Sequence, residues 1–476
     1  MGLAGMAEVA SKRQREAAPM QPFDVAVICA VPMLTLADLI LNWRWAVWGS
    51  ALVAVVFIVR QAAHVARPVR RTSVALLAVT AVLLPLLPAW VAVAALERGV
   101  RIGVLIASLL VAINLLSLAV ARVPRARDLL ESLHYVSPRR RYGVLSVASQ
   151  FFGGLLGLAG IAMMMESAAR QENLSHRDKL SSFSAVTRGY AAVSLWSPMY
   201  SNMSIVLAMY AGAHWADVLP VALAITLLFV VLGVVLDRLL GPQQPPCAIV
   251  PAVPASALLR DGWPVLLGML CFLSLMVLTS RGLDLPISAV IIAGTPAAAW
   301  LLNAHLLGGR RPALGAAVRQ VVLDMSRFRG MSGEVMMFMA SGCAGTVIGS
   351  AIPSAWTAAM GAAVAGSPAL ACLAVSAAIV LLSAAALHPM LSAVIVGASL
   401  GPSQLGLPVL PHLSAVLVGW SLAIIVTPFS VVSTLASRWS GIPVLAISFR
   451  ANAVFVLLAL GSSAGLLGLL ARLIET

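Results

Sequence analysis

Long apolar runs separated by short polar breaks set the pattern of this chain. An apolar stretch begins at Val25 and runs past Leu41, and others recur near 46–60, 73–96, 101–121, 143–165, 185–211, 218–236, 263–280, 286–307, 335–365, 368–400, 412–437 and 443–472. Since a bilayer-spanning helix needs ~20 apolar residues, the pattern predicts an all-α polytopic membrane protein with about 11–13 membrane segments. No stretch is left over that is long enough for a separate soluble domain.

Composition agrees with this reading and narrows it. Of 476 residues, 61% are hydrophobic and 10% charged, and the mean hydropathy is +0.99. With no stretch left for a separate domain, an extramembrane catalytic module is not expected. The net charge of +14 sits in particular loops rather than in one basic patch interleaved with aromatics, so no nucleic-acid partner is expected. Cys29, Cys247, Cys271, Cys343 and Cys372 are far apart and form no CxxC or Cys/His cluster, which points to packing rather than to disulfides or metal.

Charge then orients the chain. Residues 1–22 form a polar tail with Lys12, Arg13 and Arg15, and the following helix lacks a small-residue cleavage site. Arg60, Arg67, Arg70 and Arg71 in one loop, and Arg122, Arg125, Arg127, Arg139, Arg140 and Arg141 in another, mark the cytoplasmic side and put the N-terminus there. Strict alternation of spans places Arg310, Arg311, Arg319, Arg327 and Arg329 outside, against their charge. The conflict is removed if one apolar run enters and leaves on the same face, or if the basic stretch is an interfacial amphipathic helix.

Two weak internal repeats appear. SQFFGGLLG, with Ser149, Gly153 and Gly157, shares its S-x3-G-x3-G spacing with SGCAGTVIG, which holds Ser341, Gly345 and Gly349. WSPMYSNMS, with Ser197, Pro198, Ser201, Asn202 and Ser204, resembles VTPFSVVST, with Thr427, Pro428, Ser430, Ser433 and Thr434. A proline among clustered hydroxyls interrupts a helix, and in lipid the freed carbonyls are tolerable only where protein or water receives them. Interrupted helices in corresponding positions of two halves point to the midplane site of a secondary transporter. The competing reading is that the glycines give close helix packing and the prolines merely kink helices.

At these residues the chain resembles the ion transporter superfamily, which includes the divalent anion/sodium symporters and related carboxylate permeases. The resemblance implies an inverted repeat whose halves each hold an interfacial helix, a re-entrant hairpin and a broken helix. The interfacial helices would be 122–142 and 310–333, the hairpins 143–180 and 335–365, and the broken helices 185–211 and 412–437. The family's Ser-Asn-Thr signature at the hairpin tips is not reproduced at Ser149-Gln150-Phe151 or Ser341-Gly342-Cys343. The domain plan is then a tail (1–22), scaffold helices (23–121), a first repeat (122–238), a linker (239–262), further scaffold helices (263–309) and a second repeat (310–476).

The central portions of the repeat segments hold no Asp or Glu. Coupling therefore falls to carbonyls, hydroxyls and Asn202, an oxygen-rich set suited to Na+, or to His388, which precedes Pro389 inside an apolar run. Arg188 and Arg438 lie ten residues from their nearest prolines, about 15 Å along a helix, and read as snorkelling side chains. No phosphate loop, HExxH, GxSxG or paired-carboxylate constellation is present, so the chain is not expected to be an enzyme. The expected activity is secondary transport of a small organic anion, carboxylate in type, coupled to Na+ or H+. The alternative is a non-transporting integral subunit of an envelope export or biogenesis complex. Expected partners are the anionic metabolite and the bilayer, and a homodimer is allowed. Arg-rich, Lys-poor composition suggests a bacterial gene and hence the inner membrane.

Overall fold

The computed structural model describes residues 19–133, 136–169, 175–210, 212–240, 255–309, 311–385, 387–428 and 430–475. Among these the secondary structure is helical, without strands. In chain order the helices are α1 (Pro22–Leu41), α2 (Trp45–Gln61), α3 (Arg67–Leu83), α4 (Ala89–Val120), α5 (Pro124–Ser132), α6 (Pro138–Ala169) and α7 (His176–Trp196). There follow α8 (Ser201–Met209), α9 (Trp215–Leu240), α10 (Ala255–Gly282), α11 (Ile287–Gly308), α12 (Leu314–Ser326) and α13 (Ser332–Ala351). The last are α14 (Ser354–Val364), α15 (Pro368–Ala384), α16 (Pro389–Ser399), α17 (Pro402–Leu405), α18 (Val409–Val426), α19 (Val431–Ser440) and α20 (Ala453–Glu475). Among the described residues nine helical stretches are long and apolar enough to cross a membrane, and four shorter apolar helices accompany them. The chain is a multi-pass membrane protein.

It divides into two compact units. The first comprises residues 1–119 and 278–351, and the second 120–277 and 352–476.

Within the first unit, Asp24, Asp38 and Glu97 are paired with arginines. Asp24 on α1 accepts from Arg60 and from Gln61 Nε2 on α2, the latter at 3.0 Å, and Asp38 pairs with Arg101 on α4. Asp38 therefore takes Arg101 rather than the nearby Arg44, which reaches Glu97 at 3.5 Å. Hydroxyls join the same helices: Thr35, Ser50 and Ser108 form a chain of hydrogen bonds at 3.1 and 2.9 Å. Helix α13 is continuous from Ser332 to Ala351 and packs on α4 through small residues. A Cβ at Gly342 would lie 2.6 Å from the Gly99 carbonyl, and Thr346 Oγ1 donates to Ala95 O at 2.8 Å.

The second unit is built twice from one plan, and the spacing of the two copies is 230 residues, the separation of Ala191 and Ser421. The short helices α5 and α14 open at residues 124 and 354. A 32-residue hairpin follows each, 138–169 in the first copy and 368–399 in the second, each opening on a proline preceded by serine. Next come broken helices, whose first halves α7 and α18 end at 196 and 426 and whose second halves α8 and α19 begin at 201 and 431. The long helices α9 and α20 close the copies.

The two broken helices pack antiparallel. Ser421 Oγ on α18 donates to Ala191 O on α7 at 2.8 Å. Further along, Tyr210, just beyond α8, bonds through its hydroxyl to Nδ1 of His412 in the first turn of α18, also at 2.8 Å. Advancing along one helix from 191 to 210 thus means retreating along the other from 421 to 412. A residue that touches its own counterpart lies on a two-fold axis. Here that axis runs across the helices, the geometry of an inverted repeat.

The structure corrects the sequence alignment of the second half. The partner of the 143–180 hairpin is α15–α16, not 335–365: α13 belongs to the first unit and is unbroken, and α14 is the counterpart of α5. The amphipathic stretch 310–333, read as the second interfacial helix, holds α12 and likewise lies in the first unit. The run 368–400, which looks like an insertion in the sequence, is the second hairpin itself, and it removes the mismatch in repeat spacing.

Candidate functional site

Each hairpin turns where the backbone forces it. Helix α6 reverses at Gly157, whose φ of 55° and ψ of −138° are open essentially to glycine alone. The chain doubles back so closely that a Cβ at Gly160 would stand 2.6 Å from the Phe152 carbonyl. The second hairpin turns between Ala384 and Pro389, and its arms are joined by Ser383 Oγ donating to Ser392 Oγ at 3.0 Å. His388 sits at this turn as the amino cap of α16, its Nδ1 accepting from Met390 N at 3.3 Å. Pro389 follows it and opens the helix.

The first hairpin brings its candidate residues to the first break. Ser149 is fully buried and donates to Ser146 O at 2.9 Å, and a Cβ at Gly153 would meet the Tyr190 ring at 2.5 Å. At Gly154 an added Cβ would lie 3.9 Å from Ser197 Oγ, so the hairpin arm and the break are neighbours. Helix α7 stops at Trp196 because Pro198 supplies no N–H, and the chain is extended at Ser197 and again at Tyr200. The carbonyls released by the stop find other donors. Trp215 Nε1 donates to Trp196 O at 2.8 Å, while Ser204 Oγ donates to Pro198 O at 3.2 Å.

The amino end of α8 is different. Its cap residue is Tyr200, which makes no side-chain cap; Met203 N donates to the Tyr200 carbonyl at 3.1 Å instead. Ser201 is half-buried there, and Asn202 is 4% exposed with an Nδ2 that has no hydrogen-bond partner. A buried amide donor beside an uncapped helix start is an arrangement for receiving an acceptor, and the helix dipole favours a negatively charged one.

The second break has the opposite finish. Thr427 is buried, Pro428 half-buried, and Ser430 caps α19 by accepting from Ser433 N at 3.0 Å while donating to Ser433 Oγ at 2.9 Å. Thr434 Oγ1 donates to Ser430 O at 3.1 Å. This amino end is thus already satisfied by side-chain oxygens, and the segment is rich in hydroxyls and carbonyls. Among the described residues no cluster of three His, Cys, Asp or Glu could hold a metal ion.

The predicted residues accordingly fall into four groups. Ser149, Gly153, Ser197, Pro198, Ser201 and Asn202 gather at the first hairpin and break. Thr427, Pro428, Ser430, Ser433 and Thr434 form the second break, and His388 lies at the turn of the second hairpin. Ser341 and Gly345 lie outside the second unit, on α13, where Ser341 Oγ is buried without a hydrogen-bond partner and the neighbouring Gly342 packs against Gly99 of α4.

Three features are not anticipated by the sequence. His412 is fully buried; Leu400 O can only accept, so Nε2 of the neutral ring donates to it at 2.7 Å and Nδ1 accepts from Tyr210. Trp196 Nε1 donates to Gln150 Oε1 at 3.1 Å, tying hairpin to break. Arg188 does not snorkel: it is 8% exposed and hydrogen-bonded on three sides.

No protein-family model matches the chain, and comparison with curated proteins gives no match. Among solved structures the chain is similar to the YdaH transporter of Alcanivorax borkumensis, with 17% identity, a TM-score of 0.49 and coverage of 76% of this chain and 84% of that one. It is also similar to MtrF of Neisseria gonorrhoeae, described as illuminating a class of antimetabolite efflux pumps, with 12% identity, a TM-score of 0.46 and coverage of 75% and 80%.

Proposed function

We propose that the chain is a secondary active transporter that moves a small organic anion, carboxylate in type, across a bacterial inner membrane. The observation that carries this reading is the buried Asn202 Nδ2, without a hydrogen-bond partner at a start of α8 that has no side-chain cap, inside a helix break that recurs 230 residues later in an antiparallel copy. The second break, by contrast, has its amino end capped by Ser430. The anionic group meets the α8 amino end and Asn202, and the oxygen-rich second break is suited to Na+, with His388 the candidate should the coupling ion be a proton.

Burial supplies the mechanism. Asn202, Ser197 and Thr427 are all enclosed, so a solute reaches them only when packed elements separate. Hairpins that turn within the membrane and rest on the breaks are natural moving parts, and an inverted pair lets one face open as the other closes.

Membrane topology supports the inversion. Between α5 and α14 the chain crosses five times, through α7–α8, α9, α10, α11 and α13, because α6 returns to the face it entered from. An odd number puts α5 and α14 at opposite faces. The same count returns Arg311, Arg319, Arg327 and Arg329 to the face of Arg60 and Arg70, in the cytoplasm with the N-terminus, and the charge conflict disappears.

The test is uptake into proteoliposomes. Labelled mono- and dicarboxylates are offered under imposed Na+ or H+ gradients, and gradient-dependent accumulation of at least one is expected. Absence of uptake across the panel under both gradients would overturn the reading.

A further inference from the structure

Arg188 lies ten residues before Pro198, yet its partners lie near the other break. Antiparallel packing of α7 on α18 sets it there. Its Nε donates to Asn452 Oδ1 at 2.9 Å, one amino group to Tyr142 Oη at 3.0 Å and the other to Ala451 O at 2.7 Å, and the guanidinium carbon sits 4.5 Å from the centre of the Phe455 ring. None of the ion pairs among the described residues includes it. A permanently charged group in a buried place is thus bonded directly to neutral dipoles and covered by an aromatic face, with the Asp237 carboxylate near enough to act on it through space.

Asn452 is fixed by this contact. With Oδ1 turned to a guanidinium that can only donate, its amide hydrogens must point the other way, where Nδ2 donates to Ile425 O at 3.3 Å and to Ile447 O at 2.9 Å. Ile425 belongs to the last turn of α18, whose carbonyls lack helical donors once Pro428 ends the ladder. Ile447 lies in the π-helical turn Ala446–Arg450 before α20. The counterpart of Arg188 in the second copy is Val418, so the arrangement occurs once.

We propose that Arg188 and Asn452 are positioning residues: Arg188 on the first broken helix orients the Asn452 amide, and that amide holds the Ile425 carbonyl and so sets the shape of the second break. This rests on the transport reading above. A carboxylate in place of Asn452 could receive the guanidinium directly, but it would turn a lone pair toward two carbonyl oxygens and push the break open.

The experiment compares wild type, Asn452→Asp and Arg188→Lys by hydrogen–deuterium exchange in detergent and by uptake of labelled succinate and lactate in proteoliposomes. In Asn452→Asp the segment 423–434 exchanges at least tenfold faster, the hairpin 138–169 is unchanged, and KM for the transported anion or its coupling ion rises at least tenfold. Arg188→Lys keeps the charge but not the fork, and falls between. Unchanged exchange over 423–434 in Asn452→Asp overturns the inference, as does a KM within twofold of wild type. Faster exchange in a protein whose wild type takes up neither anion sustains the structural inference and counts against the transport reading instead.

Discussion

Gly189 and Gly419 face the same obstacle. A Cβ on Gly189 would run into Ser149 Oγ and the Ser146 carbonyl, and one on Gly419 would stand 2.9 Å from the Ser376 carbonyl and 3.0 Å from Ile379 Cβ. Ser146 and Ser376, like the two glycines, are counterparts at the 230-residue spacing. The hairpin of each copy therefore leans on its broken helix at one shared point, independent of the contact between the copies.

Alanine at either position should be destabilising, because the nearest atoms include backbone that cannot rotate away. A loss of about 1–3 kcal/mol is expected for Gly419→Ala, with Gly189→Ala at the upper end. Gly461→Ala on α20, where an added Cβ meets nothing within 4 Å, should be neutral or better. Unfolding midpoints in detergent decide; equal effects at all three glycines would contradict the close approach.

Asn202 should separate stability from activity. Its Nδ2 bonds to nothing in the fold, so Asn202→Ala should leave the unfolding midpoint unchanged or raise it while cutting anion uptake at least tenfold. Asn202→Asp should abolish uptake, since a carboxylate would occupy the anion's place. Full activity in Asn202→Ala would remove the amide from the site.

At Gly157 the predicted cost comes from the backbone alone. No atom lies within 4 Å of a Cβ built there, yet φ is +55°. Gly157→Ala should lose about 1–3 kcal/mol through strain at the turn, with slower uptake. Retention of wild-type stability would mean that the turn relaxes without penalty.

The inversion can be read from labelling. Ser137 and Ser367 immediately precede the two hairpins and are counterparts. In a background lacking the five native cysteines, Ser137→Cys should react with a membrane-impermeant maleimide from the cytoplasmic face and Ser367→Cys from the opposite one. Labelling of both from one face would reduce the repeat to a parallel one.

The sequence disclosed what depends on backbone chemistry that side chains cannot disguise. Pro198 and Pro428 lack an N–H, and the breaks are where they stand. The second hairpin was hidden because its turn uses Leu387 and His388 where the first uses Gly157 and Leu158, so the copies share a path and not a composition. Ser341 and Gly345 drew attention by spacing, but their helix needs small residues to approach α4. The partners of Arg188 are not legible in the sequence, because distance along its own helix says nothing about a helix that runs the other way. His412 carries no local signal: its Tyr210 lies 202 residues away in the chain.

The common register of the two copies has one more consequence. Because the hairpins and the helix breaks recur at one spacing, the described parts of either copy can be laid on their counterparts in the other. Exchanging their conformations generates a second shape of the same molecule, one in which whatever is tight on one face becomes loose on the other. On the transport reading proposed above, those two shapes are the two ends of a rocking cycle.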